Sequence, residues 1–370
     1  MSEEMAGGSS RTPEQRREAL VERVFGSAIG FMELLSIYVG ERLGLYRALA
    51  DGGAATAPEL ADTTGTHERY AREWLEQQAV AGILQVENAD AQPEERRYLL
   101  PEGHDEVLLE RDSLYYVAPF AQMMVGITRP LPAVLEAYRT GRGVPYPEYG
   151  EDMRHGIAYG NRPMFVNLMG SEWLPGVPDV HERLQEDPPA RVADIGCGTG
   201  WSSIAIARAY PKARVDGFDL DEASVAEARS NAEAEGVTDR VTFHLRDAAE
   251  PELSGRYDLA IAVECVHDMS QPVEALSAMR SMVGGDGAVL VVDERVREDF
   301  AAPSDEIERL MYGWSVLHCL PVGMAEQPSA GTGTVMRPTT LRHYAIEAGF
   351  SGMEIVPIEN DLWRFYRLVP

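Results

Sequence analysis

Apolar residues in the second half of the chain fall into short runs separated by polar helical stretches, and two runs, 257–263 (YDLAIAV) and 288–292 (AVLVV), are nearly unbroken. A strand that is apolar at almost every position has both faces covered, so both runs predict central strands of a parallel sheet. Shorter strands are predicted to end before Gly196, at 214–218 (RVDGF) and at 241–245. The segments between them carry helical periodicity: a helix starting near Trp201, another over 223–235 with Val225, Ala226 and Ala228 among its small apolar positions, and an amphipathic one over 271–282. Gly284, Gly285 and Gly287 mark the way into 288–292. Strands alternating with helices in this order predict a doubly wound α/β sheet.

The N-terminal third has a different pattern. Residues 1–20 are polar, with Gly7, Gly8, Ser9 and Ser10 ahead of Thr12 and Pro13, and read as a mobile tail running into a first helix. Residues 31–49 are helical, with Leu34, Leu35, Tyr38, Val39, Leu43 and Leu45 on a broad apolar face. Thr56 is expected to cap 57–63 and Thr66 to cap 67–81, although Arg69 stands where a capping box would carry a glutamate. Segments 84–87 and 97–100 pair as a wing, so 21–117 reads as a winged helix. Residues 118–188 read as helices broken by proline and glycine, a connector and cover, and 189–370 as the sheet domain.

The chemistry concentrates at strand ends. Residues 191–200 (RVADIGCGTG) end a strand with glycines spaced G-x-G-x-G, a loop whose backbone can approach a ligand closely. The dinucleotide fingerprint needs its third glycine one position later, where Trp201 stands, so pyrophosphate is not the favoured ligand. Ligands of such sheets bind outside the carboxyl ends of the strands, where this loop, Asp219, Asp247 and 264–268 all fall. Asp219 suits a ribose, since a carboxylate accepts hydrogen bonds from two hydroxyls at once. Asp247 with Ala248 suits the exocyclic amine of an adenine, and a nucleoside is implied.

The order VADIGCGTG, GFDLD, LRDAA and YDLAIAVECVHD resembles the class I S-adenosylmethionine-dependent methyltransferases across about 191–370. The resemblance implies a Rossmann-like sheet with S-adenosyl-L-methionine as cofactor. Asp194, Gly196, Gly198 and Gly200 would hold its methionine end, Asp219 and Leu220 the ribose, and Asp247 and Ala248 the adenine, with Glu264 also on the cofactor side. Segments 353–358 and 362–368, split by Glu359, Asn360 and Asp361, fit the antiparallel hairpin that closes this family's sheet. In small-molecule O-methyltransferases of plant and antibiotic pathways a His-Asp-Trp triplet follows the fourth strand, and its histidine removes a proton from the acceptor hydroxyl. Here the triplet is His267, Asp268, Met269. Histidine titrates near neutral pH, and general base catalysis contributes about 10² to 10⁴ in rate. Asp293, at the end of 288–292, falls where those enzymes carry an acid beside the histidine, and would orient the imidazole. Asp268 is read as a cap of the following helix. Tyr146, Tyr149, Met164, Phe165, Met169, Trp173, His318, Met324 and Met336 are candidate walls of an acceptor pocket.

The winged helix admits two readings. A transcription regulator would lay 67–81 in a major groove and neutralise phosphates with basic residues. Over 66–78 there are Arg69 and Arg72 against Glu68, Glu73 and Glu76, and the chain carries a net charge of −27, which repels nucleic acid. In the O-methyltransferases that this chain resembles, a similar module forms a homodimer interface, and Phe31, Leu35, Tyr38 and Val39 are candidate contacts.

Composition sets the outer limits. With 370 residues and 45% hydrophobic content the chain can bury two cores. No apolar run approaches the ~18 residues of a membrane span and no signal peptide is evident, so a soluble, cytoplasmic protein is expected. Cys197, Cys265 and Cys319 have no C-x-x-C spacing, and neither a disulfide framework nor a metal site is suggested; a Cys265 nucleophile is a weak alternative. Sixty acids oppose 33 bases, and the cations are arginine apart from Lys212, which fits a high-salt cytoplasm or a GC-rich genome. Three functions stand open: a small-molecule methyltransferase acting on a hydroxyl, a winged-helix regulator with a cofactor-sensing domain, and a cofactor-binding enzyme of another reaction.

Overall fold

The computed structural model describes residues 11–246 and 255–370. They form two compact units, the first ending at Met124 and the second running over Val125–Pro370.

In the first unit a helix, Pro13–Arg42, begins inside the expected tail, because Thr12 and Gln15 close a capping box with Pro13 behind it. Leu43 and Gly44 end it. Gly44 adopts φ +68° and turns the chain into a second helix, Leu45–Gly52, so the continuous helix expected over 31–49 is two. Thr56 caps Ala57–Thr64 through a full capping box with Glu59. The cap of the next helix, Glu68–Val80, is His67, not Thr66: His67 Nδ1 accepts from the Arg69 N–H at 3.2 Å, while the Thr66 hydroxyl faces Thr64. A two-stranded wing follows, β1 (Gln85–Val86) antiparallel to β2 (Tyr98–Leu99). On the long helix Leu20, Val21, Val24, Phe25, Ile29, Phe31 and Met32 are exposed, while Leu35 and Tyr38 are half-buried.

The second unit is built on β3 (Arg191–Ile195), β4 (Arg214–Asp219), β5 (Val241–Leu245), β6 (Tyr257–Val263), β7 (Val283–Glu294), β8 (Gly352–Val356) and β9 (Trp363–Val369). Among the described residues the sheet order is β5-β4-β3-β6-β7-β9-β8, parallel from β5 to β7 and antiparallel at β9 and β8. The expected doubly wound sheet and closing hairpin are both present. β7 starts earlier than the glycines suggested: Tyr257 pairs with Val283 and Leu259 with Ala288, so Gly284, Gly285 and Gly287 lie inside an irregular stretch of the ladder.

Both faces of the central strands are covered. Val192, Ile261 and Leu290 pack with Ile204, Trp173 and Trp363 on one side; Ala193, Ala260 and Val289 pack with Leu276, Met279 and Leu341 on the other. Phe165 and Trp173 meet Trp363 at ring distances of 5.7 and 5.1 Å, and Met169 and Met336 are fully buried. These four are core residues rather than open pocket walls. The strand order reverses between β3 and β6, and such switch points are where ligands of these sheets bind, outside the carboxyl ends of the strands. Among the described residues no helix is long and apolar enough to cross a membrane.

Candidate active site

The glycine loop leaves β3 at Ile195 and turns into the helix Trp201–Ala209. Gly196, Gly198 and Gly200 have φ of +66°, +51° and +85°, the left-handed region that favours glycine. A Cβ at Gly196 would stand 2.7 Å from the Cys265 sulfur and one at Gly200 would strike the Phe243 ring, whereas one at Gly198 would have nothing within 4 Å. The loop is stitched to the end of β4: the Gly196 and Cys197 N–H groups donate to the Phe218 carbonyl, and the Gly198 N–H donates to Asp219 Oδ2 at 2.8 Å. Asp219 also accepts from the Asp221 N–H at 2.9 Å; burial pushes its carboxyl up while those two backbone donors oppose the shift. Asp194 is buried beneath the loop, where Ser202 and Ser203 both donate to it at 2.6 Å, and burial pushes its carboxyl up to about 6. It fixes the start of the helix Trp201–Ala209. Leu220 is exposed beside Asp219. Asp247 and Ala248 lie outside the described residues.

β6 delivers Glu264 and a short 3₁₀ turn, Val266–Asp268. Glu264 has φ +52°, a strained value for a residue with a Cβ. Its carboxyl accepts from Trp363 Nε1 at 2.7 Å and from Asn161 Nδ2, tying β9 and the helix Gly150–Leu168 to the end of β6. Burial pushes Glu264 up to about 6 and holds the adjoining Glu294 well above the usual carboxylate range, with Glu264 adding to the effect on Glu294. The helix Gly150–Leu168 is further held to the glycine loop by Arg162, whose guanidinium lies 3.8 Å over the Trp201 ring.

His267 is 3% exposed, and its Nδ1 is 2.7 Å from Asp293 Oδ1 at the end of β7. Burial works against a charge on the ring, but Asp293 and then Cys319 outweigh it and hold the imidazole well above the usual histidine range. Asp268 caps nothing: the helix Pro272–Met282 follows Gln271 without a side-chain cap. The Asp268 carboxyl instead stands with His267 and Cys319, pushed up to about 6 by burial while His267 opposes. Cys319 closes a π-helical turn, Ser315–Cys319, that also carries His318. Wider turns of this kind recur at functional sites. His318 is buried, its pKa driven down to about 3 by burial and by His267, and its ring is edge-on to Tyr146 and Tyr149 at 5.8 and 4.5 Å. Burial pushes the Tyr146 hydroxyl up, followed by the charges of Asp219, Asp221 and Asp268. Cys265 is no nucleophile: its thiol donates to the Ile195 carbonyl at 3.2 Å and burial raises its pKa well above the usual thiol range. The sequence reading missed Asn161, Glu294 and Cys319, since none has a spacing relative to His267 that marks it.

Residues 192–287 match the family model described as a methyltransferase domain, and 31–110 match an Rv2258c-like winged HTH domain. The mitomycin biosynthesis 6-O-methyltransferase of Streptomyces lavendulae is 26% identical over 369 residues, 95% of this chain and 99% of that protein. The chain thus carries a methyltransferase domain behind a winged-helix domain, the arrangement of the S-adenosylmethionine-dependent O-methyltransferases that it resembles. Three other curated relatives are spanned over only 40 to 42% of their own lengths. A putative O-methyltransferase from Nostoc punctiforme shares the fold at a TM-score of 0.70 and 20% identity, covering 98% of this chain and all of that one. Human N-acetylserotonin methyltransferase, solved with S-adenosylmethionine, shares it at 0.67 and 18%, covering 98% and 99%. S-adenosylmethionine is the cofactor of this class of methyltransferase, and the donor set here fits it. Gly198 leaves open space where a side chain would stand, and the Asp219 carboxylate ends β4 beside it.

Proposed function

We propose that this methyltransferase carries the methyl group of S-adenosylmethionine to a hydroxyl of a small molecule, with His267 as the proton acceptor. The observation that carries the reading is the buried His267–Asp293 pair at the carboxyl ends of β6 and β7, across the switch point from the glycine loop. In this reading Gly196, Gly198 and Gly200 border the methionine end and Asp194 fixes the loop behind them. Asp219 takes the ribose hydroxyls with Leu220 against the sugar, and Asp247 and Ala248 take the adenine. Glu264 braces that side through Asn161 and Trp363. The cofactor supplies a methyl group on a sulfonium, open to in-line displacement. Asp293 keeps a proton on Nδ1 and raises the basicity of the ring, so once Nε2 has lost its own proton its lone pair is a strong acceptor for the proton of the hydroxyl. Holding that hydroxyl in line removes an entropic cost of up to roughly 7 to 11 kcal/mol.

The first unit is proposed as a homodimer surface. The exposed apolar stripe of the helix Pro13–Arg42 suits a second copy, and light scattering reads the mass. Against a DNA role, Arg69 is paired with Glu73, and Arg72 with Glu68 and Glu94. Three unpaired cysteines agree with a cytoplasmic location. Titration with S-adenosylmethionine and with duplex DNA tests the reading: cofactor binding without DNA binding is expected, then release of S-adenosylhomocysteine with a panel of phenols. DNA binding, or cofactor binding without methylation of any phenol, amine or carbon acceptor offered, contradicts it.

A further inference from the structure

The reaction proposed above uses His267 and Asp293 but leaves two donors beside the imidazole without a part. One ligand atom each from His267, Asp268 and Cys319 lies within 4.8 Å of the other two. Nδ1 of His267 is committed to Asp293, which leaves Nε2 as its ligand atom. A carboxylate on the far ring nitrogen is the usual partner of a zinc-bound histidine, because it fixes the ring and raises the basicity of the other nitrogen. Imidazole, thiolate and carboxylate are the three ligand types that zinc takes.

We propose that His267, Asp268 and Cys319 form a zinc(II) site with an open fourth position, set on the proton-accepting nitrogen of the active site. Zinc bonds of about 2.0 to 2.3 Å place tetrahedral donors within about 4 Å of one another, so the set closes by under about 1 Å. The surroundings favour a cation. Asp293 stands behind the ring and Glu264 and Glu294 lie beyond it, so one imidazole is set among four carboxyls. His318 supplies the outer group on the sulfur: its Nδ1 is 3.4 Å from Cys319 Sγ, and its Nε2 is buried with no hydrogen-bond partner among the described residues. Such an orphaned buried nitrogen calls for a ligand or a water.

Zinc on Nε2 takes the lone pair that would receive the acceptor's proton, so occupancy blocks turnover. That consequence rests on the proposed function; the binding does not.

The test is a titration of the full-length, metal-stripped protein with cobalt(II) and then zinc(II), without cofactor or acceptor. One equivalent of cobalt should give a thiolate-to-metal absorption band, displaced by one equivalent of zinc. Cys319→Ser should lose the band, and Asp268→Asn should weaken zinc binding about tenfold or more, with circular dichroism checking the fold. No band, or a band that survives in Cys319→Ser, overturns the site; should that variant not fold, unchanged zinc affinity in Asp268→Asn does so. Turnover is measured apart. Zinc bound with turnover intact upholds the site and counts against His267 as the base.

Discussion

His267 and Asp293 stand 26 positions apart, and the parallel register of β6 and β7 brings Nδ1 and Oδ1 to 2.7 Å. Their pairing was expected from the resemblance, which sets an acid beside the histidine, and both residues follow apolar strands, at whose ends ligand chemistry in such sheets gathers. The surroundings were not legible. Cys319 arrives on a π-helical turn that no 3.6-residue periodicity announces, and nothing in the spacing of Glu294 sets it beside Glu264. The burial of Glu264 beside Glu294 has a consequence for stability. Burial holds both carboxyls above their ordinary 4.5 in the folded chain, Glu264 at about 6 and Glu294 well above that ordinary value. The folded state therefore holds protons that the unfolded state releases, and the pair's contribution is largest at low pH and falls as pH rises through and beyond that window. Glu294→Gln has no charge to bury, so it should raise the melting temperature near pH 8 by a few degrees and flatten the decline from about pH 5. Thermal melts across that range check this. An unaltered slope in the variant would mean that the fold does not hold Glu294 protonated.

Among the elements, the parallel strands were the most legible, since doubly covered strands read as apolar runs. The start of β7 was hidden by glycines that lie within an irregular ladder, and Gly44 splits the first long helix where apolar periodicity runs on through it. The glycine loop allows a sharper test, because its members differ in what surrounds them. Gly200→Ala sets a methyl against the Phe243 ring at φ +85° and should destabilise the fold by roughly 2 kcal/mol or more. Gly198→Ala meets nothing within 4 Å and bears only the left-handed cost of about 1 kcal/mol, yet its methyl occupies space that the proposed function gives to the cofactor. Melting temperature and cofactor affinity, measured together, should separate them: Gly200→Ala loses mainly stability, Gly198→Ala mainly affinity. Undiminished cofactor binding by Gly198→Ala would remove that loop position from the site.

For the whole molecule, the net charge of −27 is the dominant fact, and the structure shows many of the arginines tied to glutamates and aspartates rather than free. Like charges in that excess repel across the surface, and molar salt screens them over a few ångströms. If the acidity is an adaptation to a saline interior, the melting temperature should climb from low to molar salt; a flat curve leaves base composition as its cause. The central claim concerns the crevice, and one measurement reaches it most directly: S-adenosylhomocysteine formation by wild type and His267→Ala on a phenol that wild type methylates, with cofactor affinity recorded for both. The account predicts unchanged affinity and a turnover lower by about 10² to 10⁴. Equal turnover in the two proteins would contradict it.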